Sequence, residues 1–413
     1  MKVQKCKGSR DLSPGEMTRF RLIEGAFRDC CLKGGYEEVR TPTLECLHLF
    51  TSTGTLTPSM LGKVYSFLDW DGWSGERVVL RPDGTIPVAR LYIDSMEEKE
   101  LARLFYVANV FIFEQTGKET RERWQCGAEL IGMGSPLADV ELIMLALAVL
   151  KGLNIGGIEV RLSHAGVIRA LLAKLGLSPG EQAMVFDRIL DGDAEALDGL
   201  EPGRAELGEA LSLWLNLKGE SSGFLKNLKT LSPPGLPELE PGLDDFINIV
   251  DLLESLGCNY RIDIASGRGF EYYTGVIFQL FLGDEKIGGG GRYDALIPLM
   301  GGSDIPASGF ALYLDRLMEL VAPEVLAKPP APKILIRVEP EAIKQGFSIA
   351  SCLRDAGYVV ELYLGGQESA NLRWTLDVQA KAPLFILTDQ VSHNKFKLQT
   401  SAEVLTLLKE KCR

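Results

Sequence analysis

In the stretch RWQCGAELIG, residues 123–132, Gln125 and Glu129 stand four positions apart among mostly apolar neighbours. Residues an even number apart on a strand share a face, so Gln125 and Glu129 point one way while Trp124, Cys126, Ala128 and Leu130 point the other. A carboxylate in that setting either faces water or meets a cation, because an unpaired buried charge is too costly to keep. A solvated face and a ligand pocket both satisfy this pattern.

Other stretches carry weaker chemical signals. RPDGT, residues 81–85, makes a turn in which proline presets one backbone angle and glycine permits the other. The run GGGG at 288–291 suits a bulge or tight turn, and it lacks the strand, G-x-G-x-x-G and helix context of a dinucleotide site. EYYTG, residues 271–275, reads as cross-strand aromatics followed by a turn. Eight cysteines are scattered without a C-x-x-C pair, and only three histidines accompany them. That composition predicts free thiols, with neither a disulfide framework nor a metal site.

The elements that must position these residues follow from periodicity. Apolar residues at helical spacing (Met17, Phe20, Ile23, Phe27, Cys31) predict a first helix over 14–34, closed by Gly34 and Gly35. YEEVRTPTLE alternates like a strand until Pro42, which only an edge or a strand end tolerates. A strand, the RPDGT turn and a helix opening after Thr85 come next, then a hairpin over 104–132. Ser135 and Pro136 read as N-cap and first residue of another helix. Residues from about 165 to 257 form a helical insert, after which strand patterning returns and ends in a glycine turn and a further helix. Six antiparallel-looking strands with helices outside them predict an α+β domain over 1–321. Proline and alanine crowd a linker at 322–332, and alternating strands and helices over 333–413 predict a small α/β unit with a mainly parallel sheet.

The chain has 413 residues, 46% of them hydrophobic and 24% charged, as in soluble globular proteins. Nothing at the N-terminus resembles a signal peptide, and no run approaches about 18 uninterrupted apolar residues. A cytoplasmic protein with no membrane partner is expected. The net charge of -12 argues against general nucleic-acid binding, which draws its affinity from phosphate neutralisation.

The order of motifs along the chain adds a family resemblance. RPDGT, VFIFE with RWQCGAELIG, RGFEYYTGVIF, GGGGRYD and GFALYLDRL, in that order, resemble the histidyl-tRNA synthetase superfamily from about residue 8 to the C-terminus. The resemblance implies a class II aminoacyl-tRNA synthetase-like antiparallel sheet with flanking helices and a helical insert, followed by an anticodon-binding-like α/β domain. It also implies a histidine site made by Asp83 and Thr85, by Gln125 and Glu129, and by Arg268 with Tyr272 and Tyr273. Acids there would hold the ligand's ammonium, Arg268 its carboxylate or a phosphate, and the aromatics its imidazole. Arg316 in LDRL matches an ATP-contacting arginine of the third class II motif.

Departures from the synthetase pattern imply a different activity. A working synthetase carries arginine in an F-R-x-E motif, where this chain reads FIFE with Ile112. An arginine that stabilises phosphoryl transfer is worth on the order of 10³ to 10⁵ in rate, so adenylate formation is expected to be crippled unless Lys118, Arg121 or Arg123 reaches in. Asp83 also stands where synthetases have glutamate, and QTG replaces their R-P-Q turn. LRPDGTIPVARL and GAELIGMGSPLADVELIMLAL look like the regulatory subunits of ATP phosphoribosyltransferase, although many of these lack the C-terminal domain kept here. This implies a noncatalytic subunit without cofactor or metal that binds histidine and partners a short-form catalytic subunit. It would activate that subunit, confer feedback inhibition, and have a homodimer core, near GYEEVRTPTLE, within a hetero-oligomer. Charging of tRNA is not expected. The rival readings are an active histidyl-tRNA synthetase and a module that senses histidine or uncharged tRNA through its C-terminal unit.

Overall fold

The computed structural model describes residues 4–53, 62–70, 75–113, 120–173, 177–190, 217–230, 239–264, 272–322, 332–365 and 372–411. The chain divides into two compact units, Met1–Ala322 and Pro323–Arg413.

The strands of the first unit are β1 (Glu37–Glu38), β2 (Leu44–Cys46), β3 (Ser66–Trp70), β4 (Gly75–Leu80), β5 (Ala102–Phe111), β6 (Glu122–Ile131), β7 (Ile158–His164), β8 (Lys218–Gly219), β9 (Tyr260–Asp263), β10 (Val276–Leu282), β11 (Glu285–Arg292) and β12 (Ala307–Tyr313). Nine of them form one sheet in the order β1-β5-β6-β12-β11-β10-β7-β9-β8. The pairs β1–β5 and β7–β9 are parallel and the remaining neighbours antiparallel. The sheet has nine strands rather than the six expected; β8 is two residues long and β9 four, too short to show a clear alternation. Strands β2, β4 and β3 make a separate antiparallel sheet.

One face of the large sheet packs on helices. The helix Pro14–Lys33 begins with a capping box in which Ser13 and Glu16 bond each other's backbone N–H, and it buries Phe20, Ile23, Phe27 and Cys31. Phe27 meets Phe105 of β5 and Phe310 of β12 edge-on, at 5.9 and 6.4 Å between centroids. Ser135 caps the helix Pro136–Gly152 by accepting from Ala138 N. The helices Ala165–Ala173, Pro179–Leu190, Ser222–Thr230 and Leu239–Ser255 occupy the insert region.

The glycine run is not a turn. Gly288 to Gly291 all lie within β11, between β10 and β12. Their neighbours approach too closely for side chains: a Cβ on Gly290 would stand 2.1 Å from the carbonyl oxygen of Gly309, and one on Gly291 2.8 Å from the Tyr273 ring.

In the second unit β13 (Lys333–Val338), β14 (Val359–Leu362), β15 (Trp374–Val378), β16 (Phe385–Asp389) and β17 (Lys395–Leu398) form a sheet in the order β14-β13-β15-β16-β17. The mainly parallel sheet expected here is only half so. β13 pairs in parallel with β14 and β15, but β15–β16 and β16–β17 are antiparallel. The short connections after β15 and β16 cannot hold a crossover, so those strands must turn back. Trp374, Ile349, Leu353, Leu387, Val404 and Leu408 fill the core against the helices Ile343–Asp355 and Ser401–Lys411.

Candidate functional site

The face of the large sheet away from the Pro14–Lys33 helix carries the polar residues. On β6 alternation puts Gln125, Gly127 and Glu129 on this face, and Cys126 and Ala128, both fully buried, on the helix side. Register extends the pattern to β12, where Gly309 opposes Glu129, Ala311 opposes Gly127 and Tyr313 opposes Gln125. Gly309 has to lack a side chain, since a Cβ there would lie 1.6 Å from Glu129 Oε2. Across the other edge of β6, Tyr106 of β5 faces Gly127. Its ring is pressed between two glycines, with a Cβ on Gly84 or Gly127 falling 2.4 or 2.2 Å from it.

The RPDGT turn brings in the second acid. Arg81 is 4% exposed and spends its donors on neutral oxygens: Nε on the Asn109 carbonyl at 2.7 Å, Nη2 on Asn109 Oδ1 at 2.9 Å, and Nη1 on the Thr41 and Pro42 carbonyls at 2.9 and 3.0 Å. Burial pushes this guanidinium below its ordinary value. It ties the segment before β2 and the turn after β4 to β5, which fixes Asp83. The helix Thr85–Ser95 then starts at once, with Gly84 as its N-cap.

Thr85 joins the two carboxylates. Its backbone N–H donates to Asp83 Oδ1 at 2.7 Å, and its hydroxyl donates to Glu129 Oε1 at 2.8 Å. The Tyr272 hydroxyl donates to Asp83 Oδ2 at 3.3 Å, and the Tyr293 hydroxyl makes a short bond to Glu129 Oε2. Asp83 is 2% exposed and Glu129 0%. Burial pushes the Asp83 carboxyl up to about 6 and the Glu129 carboxyl up to about 8, while the hydrogen bonds from Thr85, Tyr272 and Tyr293 favour the ionised forms. Among the described residues no cation bonds either acid, so a cationic ligand is the group that would ionise both. Tyr272 meets Tyr273 at a tilt, 5.1 Å between centroids, and Tyr293 edge-on at 5.5 Å, an aromatic wall suited to a planar ring.

Asp83, Thr85, Gln125, Tyr272 and Tyr273 therefore line one pocket, with Glu129 bonded beneath it. Arg268 lies outside the described residues. Arg316 is on the helix Leu314–Leu320, paired with Glu285 at 3.5 Å and Glu319 at 3.3 Å, and is not among the described residues that line the pocket. Of the turn cations, Lys118 is outside the described residues. Arg121 stacks on Phe113 at 4.6 Å, and Arg123 Nε donates to the Thr120 carbonyl at 3.3 Å. Neither lines the pocket, and Ile112 is bonded through its backbone N–H to the Arg121 carbonyl at 2.9 Å.

Reasoning from sequence passed over Arg81, Tyr106 and Tyr293. The signal for Tyr293 was its place directly after the glycine strand. Its neighbour Arg292 was missed as well. Arg292 grips Asp139 of the PLADVE run and Asp245 of the Leu239–Ser255 helix, the latter at 3.0 Å, and Ser308 donates to Asp139 at 2.7 Å. Consecutive residues thus anchor helices on one side and an acid of the pocket on the other. Among the described residues no group of histidine, cysteine and acidic side chains could hold a metal, and no helix is long and apolar enough to cross a membrane.

A broad antiparallel sheet with this arrangement of motifs defines a protein of the class II synthetase type. Residues 8–317 match the histidyl-tRNA synthetase family. A regulatory subunit of ATP phosphoribosyltransferase from Dehalococcoides mccartyi strain BAV1 is 52% identical over 98% of each chain. A histidine–tRNA ligase from Methanocaldococcus jannaschii is 35% identical, covering 91% of this chain and 88% of its own. Among solved structures, a protein from Bacillus halodurans described as an ATP phosphoribosyltransferase regulatory subunit/histidyl-tRNA synthetase superposes with a TM-score of 0.74 at 25% identity, over 90% of this chain and 95% of its own. A histidyl-tRNA synthetase from Nostoc shares the fold over the whole of both chains, with a TM-score of 0.73 at 20% identity. The chain belongs to the histidyl-tRNA synthetase family and, within it, to the regulatory subunits of ATP phosphoribosyltransferase.

Proposed function

We propose that this chain is the noncatalytic regulatory subunit of an ATP phosphoribosyltransferase in histidine biosynthesis and that free histidine is the signal it reads. The partner is the short-form catalytic subunit, which the chain activates and places under feedback control. The observation that carries the ligand is the paired acids Asp83 and Glu129, joined through Thr85 and walled by tyrosines. The acids would take the ligand's ammonium and ring N–H and the tyrosines its imidazole. Ile112, where a synthetase has arginine, supports binding without activation. Histidine would shift the complex between two arrangements by its differential affinity for them, typically about 1 to 3 kcal/mol. A homodimer core and a cytoplasmic location complete the proposal.

The identity to a histidine–tRNA ligase and the C-terminal α/β unit favour a second reading, an active synthetase. One sample separates the two. Purified protein is titrated with histidine by calorimetry, then assayed for histidine-dependent exchange of pyrophosphate into ATP and for its effect on a short-form catalytic subunit. Binding without exchange, with phosphoribosyl transfer raised by the chain and suppressed by histidine, is the expected result. Exchange at a synthetase's pace would overturn the proposal.

A further inference from the structure

An amino acid presents a carboxylate as well as an ammonium, and the position that holds arginine in synthetases is Ile112 here. The register of β11 introduces a cation from a different strand. Gln279 of β10 opposes Gly289 and Ile277 opposes Gly291, and Gln279, Gly289 and Ile277 line the pocket. Regular alternation back along β11 would place Ile287 on that face and Lys286 on the helix side. The pairing instead slips by one residue: Leu280 opposes Gly288, but Phe281 opposes Lys286. This β-bulge leaves Ile287 unpaired and fully buried, and turns Lys286 into the pocket. Bulges beside binding sites commonly re-aim a side chain in this way.

Lys286 Nζ stands 6.0 Å from the centre of the Tyr313 ring, and Tyr313 lies directly opposite Gln125. The pocket is thus polarised. Asp83 and Glu129 mark its negative end, and Lys286 with Gln125 marks the other. Four residues of strand, roughly 13 Å of backbone, separate Gln125 from Glu129.

Resting on the histidine reading above, we infer that Lys286 is a specificity-determining cation of the site, beside the Arg268 that the family resemblance assigns to a carboxylate or a phosphate. Lys286 pairs with the ligand's carboxylate, so the pocket selects a zwitterionic amino acid over the corresponding amine. A charge-assisted pair of this kind corresponds to roughly 10- to 100-fold in affinity.

The test compares histidine with histamine, which lacks only the carboxylate, by calorimetry on the full chain and on Lys286→Met and Lys286→Arg, with thermal melts confirming the fold of each variant. The native chain is expected to prefer histidine by at least about tenfold. K286M should lose that preference while binding histamine as before, and K286R should retain it. A K286M protein that keeps the native preference, or that weakens both ligands equally, overturns the role of Lys286 and leaves the histidine site standing. A native chain that binds neither ligand overturns both.

Discussion

Thr85 holds Asp83 through its backbone and Glu129 through its side chain, at 2.7 and 2.8 Å. One residue at the start of a helix therefore sets the spacing of two buried acids that are 46 positions apart in the chain, at 83 and 129. The two bonds can be separated experimentally, because only the second depends on the residue's hydroxyl.

Thr85→Val keeps the shape and the backbone bond to Asp83 but removes the donor to Glu129. Hydrogen bonds to charged groups contribute about 1.5–3 kcal/mol, so histidine affinity should fall by roughly tenfold or more. Calorimetry measures the loss, and circular dichroism should show an unchanged fold. An affinity within twofold of the native value would mean that Glu129 is not used in its ionised form.

The pH dependence has a definite sign. A cationic ligand favours ionised Glu129, whose carboxyl is held up to about 8. Histidine affinity should therefore rise between pH 6 and pH 8, by up to about tenfold per unit, and Glu129→Gln should flatten the profile. For folding the same shift works in the opposite direction. An acid raised above its ordinary 4.5 makes the unliganded fold lose stability as pH rises through that window to about 8. The thermal midpoint of E129Q should accordingly gain on that of the native chain between pH 5 and pH 8.5. A native affinity that is flat or falls from pH 6 to pH 8 would contradict the assignment.

Gly309 bears on the site through space alone. A Cβ there would occupy the position of Glu129 Oε2, so Gly309→Ala must displace the carboxylate or part β12 from β6. Overpacking of this kind typically costs about 1–3 kcal/mol. G309A should melt lower and bind histidine at least about tenfold more weakly, both read from one set of titrations and melts. Native affinity in this variant would place the ligand away from Glu129.

Asp139 bears on stability rather than on ligand. It is 1% exposed and faces Arg292 and Ser308. Asp139→Ala removes one partner of a buried pair and should cost about 3 kcal/mol in urea unfolding, at the low end of such effects because Asp245 still reaches Arg292. A loss under about 1 kcal/mol would show that Asp245 alone suffices for Arg292.

The primary structure by itself determined the face shared by Gln125 and Glu129, since strand alternation is a local property of the backbone. It determined the cap at Ser135 for the same reason. The order of motifs identified the class II fold without any coordinate. Only the tertiary structure decided that Gly288 to Gly291 form a strand, because what forbids side chains there is the backbone of neighbouring strands distant in sequence. It also decided that the C-terminal sheet is only half parallel. Tyr293 joins Thr85 and Tyr272 around the two acids from the residue after β11, and Lys286 enters the same pocket through a slip of one residue against β10. Neither arrangement leaves a local trace, because register is settled between strands and a sequence is read along one.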